Sequence, residues 1–390
     1  MPPHESITQW TKQLREHMPE LSLPQAKVLA EWSYGVQAVQ RCGQSQVSQF
    51  LALVLDQKVD RVRQRLRELT WEKTAKKKGK NRRELKVAAC FPSLLKWVMS
   101  ALPAGERRLV LVLDATSLKQ TFVVLTVSVV IGGCAIPVAW IVRRATAQGS
   151  WRPHWLRLLG QVAEWVPADW QVLVMADRGL FAHWLYAGII ELGWHPFLRI
   201  NSQGLARPKG TQTFKPLLAF LPAAGETWRG EVDCFRSTRL SATLLAYHDG
   251  QHEHPWLILT DLPPEGAEAT WYQQRAWVEG GFKDFKRGGW QWHLTRMTDP
   301  ERAARLWLVL AVAQLYSVGL GSRVEADTPA PQPEALPPTH VARRTAQGRP
   351  QPRRLSLATL GRLDHLARLI LNKCIPKIQL KGPNSCPVMT

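Results

Sequence analysis

The sequence predicts an α/β protein with a helical N-terminal domain, and three patterns indicate this fold class. Three hydrophobic, β-branched segments follow one another between residues 109 and 144, separated by short polar or glycine-rich turns. Strand-like and helix-like segments then alternate through residues 151–200. The region before residue 100 instead carries apolar side chains at helical spacing. Because strands repeat every 2 residues and helices about every 3.6, these regions are expected to differ in structure.

The helical N-terminal domain is expected to span residues 1–100. Leu23–Val39 has apolar residues at near-helical spacing, with Pro24 in the first turn, where proline is tolerated. Ser45–Leu55 and Val59–Leu69 are predicted to form a helix–turn–helix pair whose second helix is rich in arginine. Helices of this kind form either a compact binding domain or an ordinary bundle that packs on the core, and the sequence favours neither.

The α/β domain is expected to begin with residues 101–201. Leu109–Thr116, Phe122–Gly132 and Ala135–Arg144 are predicted strands that follow one another as in an antiparallel meander. Each is a nearly continuous apolar run, which is typical of a strand buried on both faces.

A helix, a strand, a second helix and a last strand are predicted to follow. The helix Trp151–Trp165 carries its apolar residues on one side, and Gln171–Ala176 is the next strand. Phe181–Leu192 is predicted to be a helix that ends at Gly193, a residue that suits the C-cap. His195–Ile200 is the last strand of this part.

Residues 202–263 interrupt the alternation of strands and helices. Thr227–Phe235 and Ala242–His248 alternate apolar and polar residues, and Trp256–Thr260 is also strand-like. Glycine and proline separate these runs. A β-rich insertion subdomain is therefore expected here, after which the α/β domain resumes over residues 264–322.

The last part of the chain, residues 323–390, is expected to be a linker and a basic tail. Ala326–Pro338 is rich in proline and predicts a semi-rigid connection. The segment beyond Lys373 has little that could pack and is expected to be mobile.

The charge distribution indicates a polyanionic partner. The 390 residues carry a formal net charge of +20. Residues 61–88 hold twelve Lys or Arg against three acids, and residues 341–390 hold ten against one. Clustered basic charge is the electrostatic footprint of a nucleic-acid binder, although RNA or anionic lipid would also be attracted. The residues expected to contact phosphates, unless they form only a solvated linker, are Lys76, Lys77, Lys78, Arg82 and Arg83.

Several function classes are not supported by the sequence. No stretch of eighteen apolar residues and no charged-then-apolar leader predicts a membrane span or a secretion signal. The six cysteines are dispersed without C-x2-C spacing, which argues against a zinc ribbon or a disulfide framework and fits a reducing cytosol. No G-x4-G-K-[ST] motif supports nucleotide hydrolysis.

Two aspartates each end a predicted strand. Asp114 closes the segment RLVLVLDATS, and Asp177 closes WQVLVMADRG. Aspartate often simply begins a turn, so one such residue is weak support for a site. Two acids at the ends of buried strands, however, lie on the rim of a sheet, where the sites of α/β proteins form.

A third acid lies within a spaced pattern in WYQQRAWVEGGFKDFKRGGW. Tyr272, Arg275, Glu279 and Lys286 fall within a sector of about 60° if the segment is one α-helix. A carboxylate flanked by two cations and a phenol suits metal binding beside a held phosphate, whereas an exposed helix with ion pairs is the alternative. Together the three acids, Asp114, Asp177 and Glu279, supply the oxygen ligands that Mg²⁺ or Mn²⁺ requires.

These motifs resemble those of the IS4-type DDE transposases of bacterial insertion sequences. The order D…D…E, with the glutamate inside Y-x2-R-x3-E-x6-K, matches at all four helix positions, and VLDAT and ADRG are similar to the family's aspartate segments. The resemblance covers Leu109 to Gly321. It implies an RNase H-like catalytic core at residues 101–201 and 264–322, interrupted by the β-rich insertion.

The resemblance also implies roles for individual residues. Asp114, Asp177 and Glu279 would hold two Mg²⁺ or Mn²⁺ ions. Tyr272, Arg275 and Lys286 would bind the DNA end, Arg199 would hold a phosphate near the cut, and Trp228 in the insertion would stack on a flipped base. Alternatively, Arg199 is an ordinary surface cation. Trp228 is alternatively an ordinary aromatic residue of the core or of an interface.

The implied activity is cut-and-paste transposition by a bacterial, nucleoid-associated enzyme. Its partners would be double-stranded DNA, as terminal inverted repeats and as target, and a second copy of the chain in a synaptic complex. Excised ends would pass through hairpins, and the helical N-terminal domain would bind DNA ends. An RNase H-like nuclease or resolvase without strand transfer is one alternative, and a non-catalytic DNA binder is another. The complete acid set argues against the latter, and the four-residue pattern argues against a plain nuclease.

Overall fold

The computed structural model describes residues 3–76, 83–102, 106–221, 226–248, 255–327, 355–378 and 380. The protein is mixed α/β, as the sequence predicts, and the chain divides into two compact units. Among the described residues, the helical unit comprises those within 3–106, 115–148 and 277–380, and the sheet unit comprises those within 107–114 and 149–276.

The N-terminal part of the helical unit confirms the predicted helices and adds two. Helix α2 spans Leu23–Val39, with a capping box between Ser22 and Gln25 at its start. Helices α3 and α4 form the predicted pair. The two additional helices are α1, before α2, and α5, after α4. The bounds are α1 Pro3–His17, α3 Gln44–Val54, α4 Val59–Thr70 and α5 Phe91–Met99.

The helical unit also contains an antiparallel hairpin and three later helices. Strands β2 (Phe122–Ile131) and β3 (Cys134–Arg144) pair along their length. The helices are α8 (Trp277–Phe285), α9 (Pro300–Asp327) and α10 (Leu357–Ile370). Gly281 lets α8 approach β3, because a Cβ there would lie 3.1 Å from the Ala135 carbonyl oxygen.

Helix α9 is the core of the helical unit. By length and composition residues 300–326 could cross a membrane, contrary to the expectation that no segment could, but 94% of the most apolar stretch is buried inside the protein. Such burial is the ordinary property of a core helix in a folded domain.

Helix α10 lies in the region expected to be a linker and tail. It packs on α9 at two glycines: a Cβ on Gly361 would come within 1.8 Å of the Ser317 carbonyl oxygen, and one on Gly321 within 1.9 Å of that of Leu357. Beyond α10, Ile375 and Ile378 are 1% and 2% exposed, so the expectation that little packs after Lys373 was wrong. Most of the proline-rich run lies outside the described residues.

The sheet unit contains two parallel pairs of strands followed by antiparallel ones. Its strands follow the order β1 (Arg108–Leu118), β4 (Gln171–Ala176), β5 (His195–Arg199), β10 (Trp256–Thr260), β9 (Leu240–Tyr247), β8 (Thr227–Cys234), β6 (Leu205–Pro208) and β7 (Lys215–Pro216). Strand β1 (Arg108–Leu118) pairs in parallel with β4 (Gln171–Ala176), which pairs in parallel with β5 (His195–Arg199). Helices α6 (Arg152–Ala163) and α7 (His183–Glu191) connect them.

The predicted insertion is rich in strands, and these strands extend the same sheet. Strand β10 (Trp256–Thr260) pairs antiparallel with β5, and the remaining strands follow in order. They are β6 Leu205–Pro208, β7 Lys215–Pro216, β8 Thr227–Cys234 and β9 Leu240–Tyr247.

Candidate active site

Parallel pairing of β1 with β4 brings two acids together. The register aligns Leu113 with Ala176, so Asp114 and Asp177 are the next residues along the two strands. Strand β4 ends at Ala176, but β1 continues to Leu118, so the prediction that Asp114 closes its strand was wrong. Both aspartates nevertheless lie where the pairing of β1 with β4 stops, next to each other at one edge of the paired region. Their side chains are 13% and 36% exposed. The strand-end acids predicted from the sequence are thus neighbours in space.

The carboxylate of Asp177 is oriented by its own turn. Its Oδ1 accepts hydrogen bonds from the backbone N–H groups of Gly179 (3.0 Å) and Leu180 (3.2 Å). Such a turn is what aspartate commonly forms after a strand. Because Oδ1 is occupied in this way, Oδ2 is the oxygen that faces Arg275.

Arg275 bridges the two acids. One guanidinium nitrogen, Nη2, lies 2.9 Å from Asp114 Oδ2 and 3.4 Å from Asp177 Oδ2. The arginine side chain is 12% exposed, so these ion pairs are shielded from solvent. A single positive charge therefore offsets the repulsion between two carboxylates, in the place where a bound cation would do the same.

Tyr272 forms a hydrogen bond to the last residue of β4. Its hydroxyl donates to the carbonyl oxygen of Ala176 at 3.3 Å, immediately before Asp177. Its ring is 4% exposed and meets Trp256 edge-on at 5.5 Å. Burial raises the pKa of the phenol, so Tyr272 stays a neutral donor. The hydroxyl predicted to contact DNA is engaged with the protein in this structure.

The sequence predicts that the four-residue pattern lies on one α-helix, and this prediction was wrong. Tyr272 and Arg275 lie on a 3₁₀ helix, Ala269–Ala276, and Lys286 follows the last residue of α8 in a turn. In a 3₁₀ helix residues i and i+3 eclipse, so Tyr272 and Arg275 still share a face. The hydrogen bonds of Tyr272 to Ala176 and of Arg275 to Asp114 are compatible with this 3₁₀ geometry. Pattern spacing alone does not distinguish the two helix types.

Glu279 and Lys286 belong to the helical unit. Glu279 is an exposed residue in the first turn of α8, and Lys286 is half-buried after its end. The buried acid nearby in sequence is instead Asp284, which pairs with Arg362 of α10 at 2.9 Å. Within the described ranges, no three His, Cys, Asp or Glu residues form a group that could hold a metal ion.

Arg199 lies among the charged groups around the acids. At the end of β5 it donates to the Pro255 carbonyl oxygen at 3.2 Å. Burial lowers the pKa of its guanidinium, and it also interacts electrostatically with Arg178, Arg275 and Asp177. Arg178, which directly follows Asp177 in the ADRG segment, was not singled out from the sequence. Its position beside the acid is the signal that could have found it.

The remaining predicted residues lie elsewhere. Trp228 is half-buried on β8, where its ring meets Phe220 edge-on at 4.8 Å. Lys76 donates to the Arg83 carbonyl oxygen at 2.7 Å, and burial lowers the pKa of the lysine. Lys77, Lys78 and Arg82 lie outside the described residues.

The donor set at the sheet edge fits a hard divalent cation. Asp114 lies within β1 and Asp177 directly follows β4, and both present carboxylate oxygens, the ligand that Mg²⁺ and Mn²⁺ prefer. Both carboxylates already converge on one cationic nitrogen. Paired acids with a neighbouring arginine are also groups that can bind a cation or a phosphate ester.

Comparison with known families identifies the family to which the chain belongs. Residues 105–315, more than half of the chain, match the sequence model described as the transposase DDE domain. The chain therefore belongs to this family and is a DDE transposase.

One similar solved structure is that of a piggyBac transposase synaptic complex with hairpin DNA. It shares 11% sequence identity with a TM-score of 0.37, covering 88% of this chain and 85% of that chain. A similarity of that size carries no argument about function. No curated protein matches the sequence significantly.

Proposed function

We propose that this protein is the cut-and-paste transposase of an IS4-type bacterial insertion sequence. It would hydrolyse phosphodiester bonds at the ends of the element and join the freed 3′ ends to target DNA. The observation that carries the proposal is the register of β1 and β4, which sets Asp114 beside Asp177 with one guanidinium between them.

An RNase H-like core is part of the same proposal. The strand order β3-β2-β1-β4-β5, with β2 and β3 antiparallel and β1, β4 and β5 parallel, supports such a core over residues 101–201 and 264–322. Residues 202–263 would be its insertion. Residues 1–100 would contribute DNA binding, with the excess of basic charge at residues 61–88 drawing the phosphate backbone.

Asp114, Asp177 and Glu279 would hold two Mg²⁺ or Mn²⁺ ions. When bound, such ions activate a water or 3′-hydroxyl nucleophile and stabilise the departing oxygen. Arg275 would release the two aspartates and bind a phosphate of the DNA end, exchanging one pair of oxyanions for another. Arg199 and Lys286 would add further positive charge, and Tyr272 would keep Asp177 in place through Ala176.

Assembly and cellular context complete the proposal. Two copies of the chain would pair two terminal inverted repeats before cleavage, and the excised ends would pass through hairpins in which Trp228 stacks on a flipped base. The protein would act in the bacterial cytoplasm on nucleoid DNA.

The deciding experiment compares acid variants on a supercoiled donor plasmid that carries the sequences flanking the gene. We expect Asp114→Asn, Asp177→Asn and Glu279→Gln each to lose nicking in Mg²⁺ by several orders of magnitude while still binding the DNA ends. Asp284→Asn is the matched control, because its carboxylate pairs with Arg362 and has no proposed metal role. Near-normal nicking by any of the three variants would remove that acid from the proposal.

A further inference from the structure

The helical unit contains a cavity of about 860 Å³ at the start of α3. Most of its lining residues come from three places: the loop and first turn of α3, the end of α4, and the segment 290–302 that precedes and opens α9. Trp32 of α2 and Leu306 of α9 complete the lining. This cavity involves none of the proposed catalytic residues.

Four arginines line the cavity, against one acid. Arg302 is paired with Glu72, whose pKa falls to about 2 because of that hydrogen-bonded ion pair. Arg41, Arg67 and Arg296 have no carboxylate partner within the described residues. With Arg302 offset by Glu72, which lies outside the lining, and Asp299 as the one acid in the lining, these three arginines leave a net charge of +2 at the cavity. Clustered guanidinium groups are the usual binding partners of phosphate.

A helix N-terminus adds to this positive potential. Helix α3 is eleven residues long and begins after Gly43, and no side chain caps its first turn. Gly43, Gln44, Ser45 and Gln46 all line the cavity. The unbonded N–H groups of a first helical turn favour an anion.

The cavity wall also contains a buried hydrogen-bond donor. Trp290 is 0% exposed, and its indole N–H has no hydrogen-bond acceptor in the part of the chain described. Leaving such a donor unsatisfied costs about 1–3 kcal/mol, so an oxygen-rich occupant would be favoured.

The cavity is a built feature of the unit. The Cys42 N–H donates to the Trp290 carbonyl oxygen at 2.8 Å, which ties the loop before α3 to the segment before α9. Arg67 and Arg302 lie 5.8 and 5.9 Å from the centre of the Trp71 ring, and these cation–π contacts hold both guanidinium groups at the wall.

We propose that this cavity binds the phosphodiester backbone of DNA, at a contact separate from the catalytic acids. The inference rests on the proposed function, which supplies DNA as the substrate. Arg41 and Arg296 are exposed at the rim and would each hold one phosphate, while the first turn of α3 and Trp290 would receive a third. Phosphate contacts of this kind fix the register of a protein on a duplex without reading its sequence.

The test is fluorescence anisotropy with a labelled random-sequence duplex, titrated over a range of salt concentrations. For Arg41→Ala/Arg296→Ala, we expect the slope of log K against log salt to become shallower by about 1.8, since each lost phosphate contact removes about 0.9. The matched control is Arg152→Ala/Arg157→Ala, which removes two exposed arginines from α6 and should change the slope less. Equal slopes for the two double variants would overturn the proposal.

Ser45→Glu separates binding from folding. A glutamate in the first turn favours the α3 dipole, so the melting temperature should hold or rise, while DNA affinity should fall about fivefold through repulsion of the phosphate. Unchanged affinity would overturn the proposal. So would saturable binding of a deoxynucleoside monophosphate that these variants abolish while duplex binding persists.

The outcomes also separate this inference from the proposed function. Wild-type protein that nicks donor plasmid, but whose variants bind DNA normally, would refute the cavity alone. Wild-type protein that binds no duplex would refute both. Loss of affinity in the cavity variants, with binding retained by Asp114→Asn, would support the cavity as a contact of its own.

Discussion

At the scale of single residues, Arg275 has two roles that exclude each other. It neutralises Asp114 and Asp177 in the structure, and under the proposed function it must leave them for a DNA phosphate. Its guanidinium presents five donors in a fixed plane, which suits carboxylate and phosphate equally well. The arginine therefore competes directly with any cation for the same oxygens.

Replacing Arg275 with Gln should tighten binding of divalent metal in the absence of DNA. The two carboxylates would lose their internal cation, so a metal ion would no longer have to displace it. Thermal unfolding with increasing Mn²⁺ measures this, and the melting temperature of the variant should rise more than that of the wild type. The same variant should cleave DNA more slowly, commonly by about 10²-fold for a lost positioning contact. An identical Mn²⁺ response in the two proteins would show that Arg275 does not guard the acids.

At the scale of elements, the sequence predicts the strands better than the helix that carries the motif. β1 and β4 are continuous apolar runs, and an acid at the end of each is visible directly in the sequence. The change from 3₁₀ to α geometry at Trp277 is not visible, because tertiary bonds from Tyr272 and Arg275 decide it. Helix α10 was missed because a basic, proline-rich neighbourhood masks its short apolar face, and its partner α9 lies far earlier in the chain.

The contact of α9 with α10 should be intolerant of a single added methyl group. A Cβ on Gly361 would lie 1.8 Å from a backbone oxygen that cannot move freely, so Gly361→Ala should destabilise the protein by about 1–3 kcal/mol. Gly160→Ala on α6 is the matched control, because no atom lies within 4 Å of the added carbon. In that control variant, the higher helix propensity of alanine should raise the free energy of unfolding by up to about 1 kcal/mol. Urea unfolding measures both, and equal effects would argue against close packing at Gly361.

The same pair of helices should make stability dependent on pH. His365 of α10 is buried against Tyr316, and burial lowers its pKa to about 3. The unfolded chain then binds more protons than the folded one between pH 6.5 and 3, so stability should fall as pH drops through that window. His365→Gln should flatten this part of the stability profile, measured by urea unfolding at successive pH values. A profile unchanged by the substitution would contradict the assignment to His365.

At the scale of the whole molecule, positive charge is concentrated in segments of the sequence that lack the proposed catalytic acids. The segment 61–88 and the C-terminal fifty residues together hold most of the net +20, while Asp114, Asp177 and Glu279 lie between them in the sequence. This separation suits an enzyme that grips a long polyanion at several points and cuts it at one. The alternatives of a nuclease without strand transfer and of a non-catalytic binder share that charge pattern, so assembly and products must distinguish them.

The active species is expected to contain two chains and two DNA ends. Pairing of ends before cleavage prevents release of a single broken end, and it requires a dimer on DNA. Light scattering of the complex with duplexes carrying the element's ends should give the mass of two protomers, with the Asp114→Asn variant used to stop cleavage. Full activity from a complex of one protomer and one duplex would rule this assembly out.

The burial of α9 has a consequence for synthesis. Its apolar residues leave the ribosome about thirty residues before α10, the helix that covers one side of it, and translation adds roughly 5–20 residues per second. For that interval the nascent chain displays a segment apolar enough for a membrane or a chaperone to bind. A gene copy interrupted between the two helices would make this exposure permanent. Such a truncated product should aggregate or be degraded before it can compete with the intact protein for DNA.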